Sequence, residues 1–169
     1  MYKKAKNIIL LVGILLAVLA LPTKAEDFSD QSYIVAKVTS YDYKNARLWD
    51  FIKKNQWIGI EFDIVNDSLG NNPVLSNTQY ALFSMLEKIE PLIAENESRI
   101  LPVFINYNGD VHLLDSIINS STVSSQIFYL PQGEKWPSTE YLVQANRRII
   151  FFVNGKISNE SRILHHLQD

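Results

Sequence analysis

From Tyr33 onward the chain alternates between two hydrophobic patterns. Short, nearly continuous apolar runs occur at Tyr33–Ser40, Trp57–Val65, Arg99–Tyr107, Gln126–Leu130 and Arg148–Val153, and they predict buried strands. Segments with apolar residues at helical spacing lie between them. Tyr43–Lys54 carries Ala46, Leu48, Trp49, Phe51 and Ile52, and Thr78–Glu95 carries Leu82, Met85, Leu86, Ile89 and Ile93. Val111–Ile118, Thr139–Ala145 and Ser158–Leu167 read as shorter helices. Asn77 or Thr78 is placed to cap the long helix, and Pro91 predicts a kink or a restart within it. About five βα units in order predict an α/β fold with a mainly parallel sheet. The sheet is expected as a partial or complete TIM-like barrel, with an open three-layer sandwich as the other architecture. Eight such units need about 250 residues, and this chain has room for about five or six.

The first 25 residues follow a different rule. Lys3, Lys4 and Lys6 precede an unbroken run of apolar residues and glycine from Ile8 to Leu21, and Thr23-Lys24-Ala25 places small residues at both positions a signal peptidase inspects. This layout predicts a secretory signal peptide over residues 1–25, an exported domain over 26–169, and a periplasmic or secreted location. The run is shorter than the roughly 20 residues that span a bilayer, so no stable membrane span is expected after cleavage. A membrane anchor is the alternative reading.

Four of the 16 lysines and arginines fall within the leader and none of the 18 acids does, so the remainder carries a net charge of about −6. A basic nucleic-acid surface is therefore not expected. The chain has no cysteine, which excludes thiol nucleophiles, cysteine-held metals and disulfides. It also lacks the G-x-S-x-G elbow, the P-loop, G-x-G-x-x-G and H-E-x-x-H.

The candidate chemistry lies on the second predicted strand. Glu61 and Asp63 stand two residues apart in Ile60-Glu61-Phe62-Asp63-Ile64, so their side chains share a face. Two adjacent carboxylates repel unless a cation, a proton or basic groups intervene. They are candidate ligands for a cation, with Asp42, Asn77 and Asn106 as further candidates at strand ends. The alternatives are pairing with lysine or arginine, or exposure at a strand end. Arg147-Arg148 is placed to snorkel or to cap a helix end, or to reach a phosphate. His165 and His166, adjacent on a predicted helix, diverge by about 100° and cannot easily share one ion. His112 reads as an ordinary residue near a helix start, and Trp136 either lines a pocket or locks a loop.

The Glu61-x-Asp63 strand, followed by Pro73-Val74 and a polar pair, resembles the superfamily of phosphatidylinositol-specific phospholipase C and glycerophosphodiester phosphodiesterase. Trp136-Pro137-Ser138-Thr139 followed by Asn146-Arg147-Arg148-Ile149-Ile150-Phe151-Phe152 is similar to a segment of the phospholipase C X-domain. The resemblance covers most of Tyr33–Val153. It implies a TIM-type barrel with its site at the carboxyl ends of the strands, and phosphodiester cleavage by two histidines. It also implies a Ca²⁺ or Mg²⁺ ion held by Glu61 and Asp63 with Asn106 or a neighbouring acid such as Asp42, and a phosphodiester or phospholipid head-group ligand. A hard cation suits oxygen ligands and neutralises phosphate charge.

The sequence departs from that pattern at the proton-transfer positions. The family's histidine positions fall near Ser40 and Tyr41 and near Ser76, and the three histidines of the chain lie elsewhere. Serine and tyrosine do not replace imidazole near neutral pH. The expectation is an exported phosphodiesterase-like protein without family catalysis, which binds a phosphorylated or lipid-derived ligand or a partner. The alternatives are an active metal-dependent phosphoric diester hydrolase and an exported α/β scaffold with no small-molecule site.

Overall fold

The computed structural model describes residues 27–39, 42–67, 73–75, 82–131, 133–154 and 164–166. The predicted leader, Ser40, Tyr41, Ser76 and the helix-capping pair Asn77 and Thr78 lie outside them. The elements in chain order are β1 (Ile34–Lys37), α1 (Ala46–Lys54), β2 (Ile58–Asn66), β3 (Pro73–Leu75), α2 (Leu82–Ala94), β4 (Leu101–Tyr107), α3 (Val111–Asn119), α4 (Thr139–Gln144), β5 (Ile149–Asn154) and β6 (Leu164–His166). Short 3₁₀ turns occupy Phe28–Asp30, Asp42–Lys44 and Ser124–Gln126.

The fold is α/β. Five parallel strands lie side by side in the order β1-β2-β4-β5-β6, and β3 pairs antiparallel with the far end of β2. The parallel strands therefore follow chain order across the sheet, the arrangement of a segment of a βα barrel. Right-handed crossovers in one direction place helices on one face, and α1, α2 and α3 pack there. Alternation explains which residues meet them. Ile58, Ile60, Phe62 and Ile64 of β2, Leu101, Val103, Ile105 and Tyr107 of β4, and Ile149, Phe151 and Val153 of β5 join one core with Leu82, Met85, Leu86, Ile89 and Ile93 of α2. The opposite face is filled at the foot of the strands by Phe28, Ile100, Leu142 and Ile150, with Trp136 and Phe152 against them. Gly59 belongs to that face. A Cβ there would meet the Pro102 carbonyl oxygen at 3.1 Å and the Phe104 ring at 3.2 Å.

Local chemistry sets the element ends. Asp42 accepts both the Thr39 N–H (3.1 Å) and the Thr39 hydroxyl (2.6 Å), a turn that stops β1 short of the predicted Ser40. Asn45 caps α1 by accepting from the Leu48 N–H, so the helix begins at Ala46 rather than Tyr43. Asp110 and Ser138 cap α3 and α4 in the same way. A single helix runs from Leu82 through Pro91 to Ala94.

Two predicted elements are corrected. Gln126–Leu130 is not a strand. β4 and β5 pair directly from Leu101↔Ile149 to Asn106↔Asn154, which leaves no slot between them. Only Ile127 bridges Ile149, at the foot of the outer edge of β5, and β6 takes that edge higher up. The predicted helix Ser158–Leu167 is also replaced in part. Leu164–His166 is a strand parallel to β5, so His165 and His166 lie on a strand; residues 155–163 are outside the described set. The open edge of β5 decides the matter, because so short a segment has no strong preference of its own. Conversely, Pro73–Leu75, outside every predicted strand, forms β3.

Two buried arginines bind the units together. Arg99, 1% exposed, donates from Nη1 to the Ile52 and Lys53 carbonyls (2.8 and 3.4 Å) and from Nη2 to the Ile58 carbonyl (2.9 Å). Arg148, 7% exposed, donates to the Ile93 and Asn96 carbonyls (3.1 and 2.7 Å) and to Asn146 Oδ1 (3.0 Å). Each therefore stands just before one strand and caps the carbonyl end of the helix that leads into the neighbouring strand. Cations are favoured at that end of a helix. Burial pulls the Arg99 guanidinium down to about 10 and lowers Arg148 as well, yet both remain cations at neutral pH.

Candidate functional site at the strand mouth

Parallel register brings a polar row together at the carboxyl ends of four strands. Lys37 ends β1 and pairs in register with Glu61; Asp63 pairs with Asn106, and Asn106 pairs with Asn154, the last residue of β5. All lie on the face opposite α1–α3, because their neighbours Phe62, Ile64, Ile105 and Val153 face the helices.

Glu61 and Asp63 share a face as predicted, and a lysine stands between them. The Lys37 ammonium lies 3.4 Å from Glu61 Oε1, 3.0 Å from Asp63 Oδ2 and 3.2 Å from Asp63 Oδ1. The Asn106 amide nitrogen closes the other side, donating to Glu61 Oε1 at 3.0 Å and to Asp63 Oδ1 at 2.8 Å. Two ionised carboxylates are acceptors only, so they fix the Asn106 orientation with its amide nitrogen toward them. The Asn106 oxygen is then free to accept from Asn154 Nδ2, at 3.4 Å. The hydrogen bond from Asn106, then that from Lys37, hold the Asp63 carboxyl below the usual aspartate range. The bonds to Asp63 and then Glu61 raise the Lys37 ammonium above its ordinary value. The charged forms of Lys37 and Asp63 therefore stabilise each other, and one lysine against two acids gives the cluster a formal charge of −1.

The other candidates fall out as follows. Asn106 belongs to the cluster, as a donor to the acids. Asp42 does not: its carboxylate is held by Thr39, which lowers its pKa. Asn77, Ser40, Tyr41 and Ser76 lie outside the described residues. His112 is exposed at the start of α3, where its backbone N–H donates to the Asp110 cap. Arg147 donates to the Ile127 carbonyl (3.3 Å), and Arg148 caps α2 as the helix-end reading expects. Trp136 packs against Phe28, Phe128 and Phe152, which locks its loop over the foot of the sheet. Among the described residues no group of three or more His, Cys, Asp and Glu is placed to hold a metal ion, and no helix is long and apolar enough to cross a membrane.

Sequence reasoning missed Lys37 and Asn154. Lys37 had a usable signal. It is a charged residue inside an apolar run, and its face is set once the neighbouring strand is known. Asn154 lies just past the apolar run Arg148–Val153, and its place in the row depends on the β4–β5 register.

Compared with known protein families, with characterised proteins and with solved structures, the chain matches none of them.

Proposed function

We infer that this chain is an exported, phospholipase C-like phosphodiesterase-type domain that binds a phosphorylated or lipid-derived polar ligand at the strand mouth without cleaving it. One observation carries the reading: the Lys37 ammonium stands between Glu61 and Asp63, where the resemblance implies a Ca²⁺ or Mg²⁺ ion. A lysine supplies fixed positive charge and hydrogen-bond donors, but it does not polarise a bound water as a divalent ion does. The row offers the Lys37 ammonium and the Asn154 carboxamide to phosphate oxygens, because both amide hydrogens of Asn106 are held by Glu61 and Asp63. It offers two carboxylates to the hydroxyls of a glycerol or inositol head group. Proton transfer near neutral pH needs a group such as imidazole, and the family's histidine positions carry serine and tyrosine.

The test uses sn-glycero-3-phosphocholine and myo-inositol 1-phosphate as probes, with calorimetry for binding and ³¹P NMR for cleavage. The expected result is saturable binding that EDTA leaves unchanged and Lys37→Met abolishes, with the diester intact after prolonged incubation. Hydrolysis that depends on Asp63 would establish the active phosphodiesterase instead. Absence of binding by either probe would leave an exported scaffold.

A further inference from the structure

A second concave region lies at the opposite end of the sheet, about 20 Å along β2 from Asp63. It is a cavity of about 340 Å³ at the foot of β1, β2 and β4, lined by Tyr33, Gln56, Trp57, Arg99, Thr139 and Glu140 among others. Small-molecule sites occupy roughly 300–1,000 Å³, so it suits a ligand of one or two rings. Trp57 is the feature that needs explaining. The residue is 51% exposed beside a hollow lined by polar groups and by Ile100 and Val143, and its ring leans on Tyr33, with ring centres 6.1 Å apart.

The charges of the cavity select against ions of both signs. Arg99 has its terminal nitrogens committed to three backbone carbonyls, which leaves only its buried Nε–H for an acceptor, and its buried charge opposes a second cation. Glu140 accepts from Gln144 at 3.0 Å and opposes an anion. Burial pushes the Tyr33 hydroxyl up to about 12, so it stays a neutral donor and acceptor across the physiological range. What remains is an aromatic face bordered by hydroxyl, carboxamide and carboxylate groups. An uncharged pyranose ring complements that surface. Its C–H face lies against the electron-rich indole, and its hydroxyls meet the polar rim.

We propose that the cavity beside Trp57 is a binding subsite for a neutral sugar ring, separate from the strand-mouth site and without catalytic chemistry of its own. Trp57 supplies the platform. Tyr33, Gln56, Thr139 and Glu140 supply hydrogen bonds to the ring hydroxyls.

Saturation-transfer NMR on the full chain tests this, with methyl β-glucopyranoside and N-acetylglucosamine as neutral probes and glucuronate and glucosamine as charged ones. A neutral probe is expected to saturate in the millimolar range and to bind at least about tenfold more tightly than its charged counterparts. Trp57→Ala, with a native circular-dichroism spectrum, is expected to lose the signal, and Trp57→Phe to keep part of it. Should Trp57→Ala fail to fold, Thr139→Val is expected to weaken binding several-fold. The proposal is overturned if neither neutral probe saturates, if the charged probes bind as well, or if Trp57→Ala binds as the parent does.

Discussion

The two ends of the sheet use cations in opposite ways. At the foot, Arg99 and Arg148 are buried and donate from their terminal nitrogens to backbone carbonyls. At the mouth, Lys37 is half-exposed and stands between two carboxylates. Water screens the mouth but not the foot, so similar hydrogen bonds carry different weight. Removing a foot arginine strands buried carbonyls, whereas removing a mouth charge changes mainly what the site can bind.

The comparison breaks most easily at Arg99. Arg99→Met leaves the Ile52 and Ile58 carbonyls without their donors in a dry environment, an expected loss of about 3 kcal/mol read as a lower urea midpoint. Arg99→Lys is expected to recover only part of this, because a single ammonium cannot reproduce the fork. Arg148→Met follows, with about 2 kcal/mol, since its environment is slightly more open. Gly59→Ala comes next. The new methyl group presses on the Pro102 carbonyl and the Phe104 ring, and about 1 kcal/mol is expected from the same unfolding curves.

The smallest effect belongs to the mouth. The folded-state pKa of Asp63 lies below its unfolded value of about 3.9. Its stabilisation is therefore present above that value and is lost as pH falls through the folded one. Solvent screening limits it to a few tenths of a kcal/mol. Wild type and Asp63→Asn are expected to differ slightly in urea midpoint at pH 6 and to converge once the pH falls below the folded-state value of Asp63. A large difference at pH 6 would place the mouth in the same structural class as the foot.

The same contrast explains what the sequence could reveal. Strands β2, β4 and β5 were legible because each is a mostly apolar run, buried on both faces at its start and on the helix-facing side further along, and Glu61 and Asp63 stood out as charges inside one of them. The end of β1 and the start of α1 were less legible, because Asp42 and Asn45 fix them through side-chain bonds that apolar spacing does not record. Gln126–Leu130 and Leu164–His166 were misassigned because both are short runs whose state depends on which edge of β5 is vacant. The site was half visible. Its acids lie two residues apart, but Lys37 arrives from 26 residues earlier and Asn106 from 43 residues later than Asp63. Only sheet register joins them.

Calorimetric titration of Ca²⁺ into wild type, Lys37→Met and the double variant Lys37→Met/Glu61→Gln tests most directly whether Lys37 holds the place of a metal ion. The expected result is no saturable binding to wild type, binding to Lys37→Met in the range of roughly 0.1–1 mM, and loss of that binding in the double variant. Saturable Ca²⁺ binding to wild type that Glu61→Gln abolishes would contradict the account.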